Sequence, residues 1–195
     1  MKTKILVEIA VMSLLVFLLD LLSHLIPIPG THDGISLYML PIFLMSFKHG
    51  VKVGIYTGLS SSVLFFLFGH YHTFVWVQFM LDYILALSVI AVSGIYSKKV
   101  RSCDCNCEER NSYIIKGVFI GSLLKLVFNS ISVLLFIEMY LDTEHNPNLF
   151  HHLLETDQII FSIIYSSIIV VPAAILTTIV LVKSFSKYGN KLLGL

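Results

Sequence analysis

The chain is predicted to be an all-α, polytopic membrane protein of six transmembrane helices, and three observations carry this. Hydrophobic residues make up 56% of the 195 and charged ones only 13%, where a soluble chain carries about a quarter charged residues. Apolar runs recur along the whole length between short polar breaks. All thirteen Lys and Arg residues fall on one side of a six-helix path. A mean hydropathy of +0.87 leaves no room for a soluble catalytic domain beside the spans, so residues 1–195 read as a single integral membrane domain. The net charge of +1 and the lack of a basic run with interleaved aromatics exclude nucleic acid as a partner.

Each span needs about 20 apolar residues, and the runs place spans near 5–26, 35–47, 51–69, 74–97, 112–141 and 157–186. The first is followed by Pro27, Pro29 and Gly30, which break the chain. It exceeds a signal-peptide core and lacks a small-residue cleavage site, so it is expected to stay as a helix. The second, carrying Pro41, is short and ends at Lys48-His49-Gly50. The third carries Gly54 and Gly58 and ends at Gly69, before His70-Tyr71-His72. The fourth contains Gln78, Asp82 and Tyr83. The fifth is long, with Lys125, Asn129, Ser132 and Phe136 on one stripe. The sixth has a polar patch at Tyr165-Ser166-Ser167 in an aliphatic run.

Orientation follows from the positive charges. Lys2, Lys4, Lys48, Lys52, Lys98, Lys99, Arg101, Arg110, Lys116, Lys183, Lys187 and Lys191 lie at one set of helix ends, and Lys125 lies in the half of helix five nearest them. The opposite side holds Asp142, Glu144, Glu155 and Asp157. Both termini are therefore expected in the cytoplasm of a multi-pass protein of the cell membrane, with the acidic loop outside.

Asp82 then lies about eight residues into a helix that enters from outside, roughly 12 Å deep at 1.5 Å per residue. A carboxylate at that depth costs roughly 2.5 to 3.5 kcal/mol on insertion scales and by default marks a ligand, ion or proton site. The alternative is structural, a pairing with a lysine or the capping of a broken helix. Gln78, four residues earlier, shares its face. Asn129 either faces the same ligand or makes a helix-to-helix hydrogen bond. Lys125 either pairs with a carboxylate or snorkels to the cytoplasmic surface, the second being the expectation. The hydroxyls of helix six are of the kind that pack helices together.

The stretch from Ile35 to Leu44 with its Pro41, the turn Phe47-Lys48-His49-Gly50-Val51-Lys52-Val53-Gly54 with Gly58, and Gln78-Phe79-Met80-Leu81-Asp82-Tyr83 resemble the substrate-binding S components of energy-coupling factor (ECF) transporters. The closest similarity is to the thiamine-specific branch, the ThiT family, and it runs through most of the chain. The resemblance implies the S-component fold, in a subunit that captures a vitamin from outside and docks on a transmembrane EcfT subunit bearing two ATPase subunits. It would then topple in the membrane to release its ligand inside. The sequence has no Gly-x-x-x-x-Gly-Lys-Ser/Thr loop of its own, so energy would come from those partners.

The resemblance also implies site residues. Asp82 stands where the family generally has Glu and would take the aminopyrimidine amine of thiamine, the transported ligand, with no cofactor involved. Tyr83 would serve a polar end, with Gln78 beside Asp82. Asn129 stands where the family has a ligand-stacking His, and Tyr165-Ser166 where it has Tyr-Asn. Aromatic cover for the thiazolium cation, worth about 0.5 to 2 kcal/mol per ring, would come from Tyr38, Trp76, Tyr140, Phe161 or Tyr165. A small-residue docking face on helix one is represented by Ala10 and Ser13. The alternatives are a secondary transporter, or an S component for another small vitamin or a metal ion.

Two clusters invite a metal reading. Cys103, Cys105 and Cys107 could hold a soft ion, but their spacing matches neither standard zinc pattern and free thiols are ordinary in a reducing compartment. His70, His72, His151 and His152, with Glu155 and Asp157, could bind a divalent ion or form a loop over the site. No metal site is assigned to either. An intramembrane enzyme would need paired acids, Ser with His, or a metal-binding helix at depth, whereas Asp82 has no second deep acid, so no catalytic residue is expected.

Overall fold

The computed structural model describes residues 3–23, 37–68, 76–102, 107–137 and 157–193. These form six helices: α1 Thr3–Ser23, α2 Met39–His49, α3 Val51–Phe68, α4 Trp76–Ser102, α5 Cys107–Leu135 and α6 Gln158–Leu193. Five are long and apolar enough to cross a membrane. The other, α2, has 11 residues and rises only about 16 Å.

That short helix is the middle of the bundle. Met39, Ile42, Phe43, Met45 and Phe47 of α2 are all fully buried, among α1, α3, α4 and α6, which pack around it. Phe43 stacks on Phe47 with ring centres 6.3 Å apart, and Phe47 meets Phe185 of α6 edge-on at 6.4 Å. An all-round apolar helix of this length fits protein on every side better than lipid. Gly50 ends it at φ 93°, a left-handed backbone that glycine adopts without steric cost. The chain then reverses at once into α3.

On α1, by contrast, Leu6, Val7, Val11, Leu14, Leu18 and Leu22 are exposed, while Ile9, Ser13 and Val16 are buried. It therefore lies at the edge with one face on the bundle. Ser13 Oγ donates to the Thr57 carbonyl of α3 at 3.2 Å. Glu8 Oε2 lies 2.9 Å from Lys48 Nζ and 2.8 Å from His49 Nε2, joining the start of α1 to the α2–α3 turn. Likewise Arg110, at the start of α5, lies against Gly189 near the end of α6. The ends that carry the positive charges are thus gathered together.

Several hydroxyls inside the bundle are returned to the backbone, which takes the place of water as their partner. Ser46, Thr57, Ser61, Ser62 and Ser88 each donate to the carbonyl four residues earlier, at 2.5 to 2.9 Å.

Candidate functional site

The winding of α4 changes where the ionisable residue sits. Residues Met80–Leu85 form a π-helical turn, and Ala91–Tyr96 tighten into 3-10 winding. A π turn inserts an extra residue into the helix and recurs at functional sites, and here it carries Asp82. Two features of α3 support it. Ser62 Oγ lies 3.0 Å from the Tyr83 carbonyl, within the altered turn. Gly58 lets the backbones meet: a Cβ there would stand 2.9 Å from the Leu87 carbonyl oxygen.

Asp82 is half-buried and faces α5, where Ser132 Oγ donates to its Oδ2 at 2.8 Å. Ser132 itself is fully buried. Lower on the same stripe, Lys125 is 2% exposed. Its Nζ donates to Asn129 Oδ1 at 3.3 Å and lies 5.3 Å from the centre of the Tyr38 ring, just before α2. Lys125, Asn129 and Ser132 are spaced i, i+4 and i+7, so α5 presents an ammonium, an amide and a hydroxyl along one face. Asp82 meets this ladder at Ser132, the rung farthest from Lys125. The arrangement holds one cation and one anion at different heights, suited to a ligand with acceptors at one end and a donor or positive charge near the other.

The expectation that Lys125 snorkels is corrected. Its head turns into the protein, where the Tyr38 face and the Asn129 carbonyl receive it, a geometry that cation–π attraction favours in desolvated surroundings. Lys125 and Ser132 were both visible as members of the stripe, and the i, i+4, i+7 spacing was the signal that they belong to the site.

The remaining candidates are distributed more widely. Gln78, one turn before Asp82, is buried. The Tyr83 ring turns towards α3, stacked on Phe79 at 5.2 Å and tilted against Phe65 at 5.1 Å. Tyr165 is buried with Phe161, ring centres 5.9 Å apart, in an apolar cluster with Val133 of α5 and Ile137 just beyond its end. Ser166 is buried beside it, its Oγ without a hydrogen-bond partner among the described residues. Trp76 is not brought to the ladder: it is 67% exposed and packs on Phe66 of α3 at 5.5 Å. Tyr140, His70, His72, His151, His152, Cys103 and Cys105 lie outside the described residues, as does the side chain of Cys107.

The chain is similar to known proteins along most of its length. A family model described as thiamine transporter protein (Thia_YuaJ) matches residues 6–190. The chain is 31% identical over 182 residues to the thiamine transporter ThiT of Bacillus subtilis (strain 168), a match spanning 92% of this chain and 89% of that protein. The structure of ThiT from Listeria monocytogenes superposes with a TM-score of 0.81 at 23% identity, covering 97% of this chain and 96% of that one. At that identity the superposition establishes the shared fold.

Proposed function

Because this chain belongs to the thiamine transporter protein family, we propose that it is the thiamine-binding S component of an ECF-type importer, with Asp82 as the residue that recognises the vitamin. The observation that carries the proposal is the π turn of α4, which presents Asp82 to Ser132 on the face shared with Asn129 and Lys125.

The aminopyrimidine ring of thiamine has an exocyclic amine, a donor, beside ring nitrogens that accept. Asp82 accepts from the amine, and the Ser132 hydroxyl holds the carboxylate in place while leaving lone pairs for the ligand. Lys125 and Asn129 supply the donors that face the ring nitrogens. The thiazolium cation is repelled by the Lys125 ammonium and turns outward, towards the Phe161–Tyr165 pair, with Tyr140 and Ser166 as further outer contacts. Gln78 and Tyr83 support the Asp82 turn from within α4. A ligand bound at both ends in this way exchanges slowly, as a capture subunit requires.

Both termini lie in the cytoplasm on this proposal, with the site open outward. Release inside depends on docking with EcfT and its two ATPase subunits, and the chain performs no chemistry of its own. The test is thermal unfolding of the detergent-purified protein against a panel of vitamins. A ligand at 1,000 times its dissociation constant stabilises by roughly 4 kcal/mol, so thiamine is expected to raise the melting temperature while riboflavin and biotin leave it unchanged. A shift with another vitamin and none with thiamine would remove the substrate assignment.

A further inference from the structure

Away from the ligand site, the positively charged ends of α4 and α5 carry an aromatic and basic cluster that vitamin binding does not use. Tyr96 of α4 stacks on Tyr113 of α5 with ring centres 6.0 Å apart and planes at 27°. Lys99 Nζ lies 5.1 Å and Lys116 Nζ 5.7 Å from the centre of the same Tyr113 ring. Both lysines are exposed, and no carboxylate among the described residues forms an ion pair with either. Two ammonium groups drawn to one ring from different helices, with no carboxylate among the described residues paired to either, concentrate positive charge that an anion would match.

The surroundings indicate what kind of anion. Since α4 runs towards the charged side and α5 away from it, the residues one turn deeper are Ile95, four before Lys99, and Phe119, three after Lys116. They are 66% and 66% exposed, with Ile115 beside them at 49%. An acyl chain would lie on this apolar strip, with its headgroup at the level of the two lysines. Tyrosines are typical of that interfacial depth, and basic pockets between helices on the cytoplasmic side bind anionic headgroups.

We propose that the α4–α5 groove at Tyr96, Lys99, Tyr113 and Lys116 is a binding site for an anionic phospholipid, the phosphate between the two ammonium groups and an acyl chain along Ile95 and Phe119. The Tyr113 ring preorganises the lysines by cation–π attraction, which lowers the ordering cost of binding. Such a lipid would fasten the cytoplasmic ends of the two helices that hold Asp82 and Lys125.

Native mass spectrometry of the delipidated protein in a neutral detergent tests this by titration with phosphatidylglycerol and, separately, phosphatidylcholine. The wild type is expected to bind phosphatidylglycerol more tightly. The double variant Lys99→Gln/Lys116→Gln is expected to lose roughly 25-fold, about fivefold per lysine, without change for phosphatidylcholine. Lys98→Gln/Arg101→Gln removes the same charge nearby and is expected to keep the tight binding, as is Lys99→Arg/Lys116→Arg. Equal loss in the Lys98/Arg101 variant would reduce the site to diffuse surface charge and overturn the proposal, as would equal affinity for the two lipids. Glycerol 3-phosphate competing as strongly as the lipid binds would assign the cluster to a free anion instead.

Discussion

Ser132 of α5 donates a 2.8 Å hydrogen bond to Oδ2 of Asp82 on α4, across 50 residues of sequence. The bond fixes one carboxylate oxygen at the point where the helix is wound as a π turn. Asp82 is therefore oriented by a neighbouring helix before any ligand arrives. Preorganisation of this kind improves affinity by lowering the ordering cost of binding.

Replacing Ser132 by Ala removes that hold and keeps the size of the side chain nearly unchanged. A hydrogen bond to a charged group contributes about 1.5 to 3 kcal/mol, so thiamine affinity is expected to fall roughly tenfold or more. The melting temperature without ligand is expected to fall as well, because the bond is already made in the unliganded protein. Titration calorimetry alongside thermal unfolding separates the two effects.

Lys125→Gln tests which end of the ligand lies deep in the bundle. If Lys125 serves the ring nitrogens, the substitution weakens the isolated aminopyrimidine fragment, and weakens whole thiamine less, since repulsion of the thiazolium cation is lost with the ammonium. A gain for thiamine with no change for the fragment would show that the ammonium acts only by repelling the thiazolium cation. Competition binding with the two compounds is sufficient to distinguish these outcomes.

Gly58→Val tests the support beneath the π turn. The first added carbon would stand 2.9 Å from the Leu87 carbonyl oxygen and 3.2 Å from the Ser88 Cα, and neither backbone atom can yield alone. Overpacking of this sort costs typically 1 to 3 kcal/mol. Loss of thiamine binding and a lower melting temperature are both expected, whereas the same substitution at exposed Leu67 should change neither.

The helices were legible in the sequence because apolar runs measure the membrane, but their ends were not. The expected limits 97, 112 and 186 became Ser102, Cys107 and Leu193. Beyond the apolar core, Lys98, Lys99, Arg101, Glu108, Glu109 and Lys187 continue as helix, since these residue types are good helix formers in water. Likewise Lys48 and His49 extend α2 up to Gly50, where the backbone turns left-handed.

Within the site, Asp82 stood out because a carboxylate inside a span is costly, and the α5 stripe followed from helical spacing. The π turn had no such signal, as it depends on Gly58 and Ser62 of a different helix. The same limit applied to Lys125. Spacing placed it on the right face, but only the position of Tyr38 and Asn129 determines that its head turns inward. Trp76 was expected near the ligand as the single tryptophan in a chain that needed aromatic cover, yet it packs on Phe66 at the exposed end of α4.

The most direct test is a thiamine titration of the wild-type protein beside Asp82→Asn, with circular dichroism and ligand-free melting to establish that both are folded. Truncating one side of a buried charged hydrogen bond costs about 2 to 5 kcal/mol, so affinity is expected to fall roughly 30-fold or more while the unliganded protein stays folded. Equal affinity in the two proteins would contradict the assignment of Asp82 to the vitamin and leave it a structural partner of Ser132.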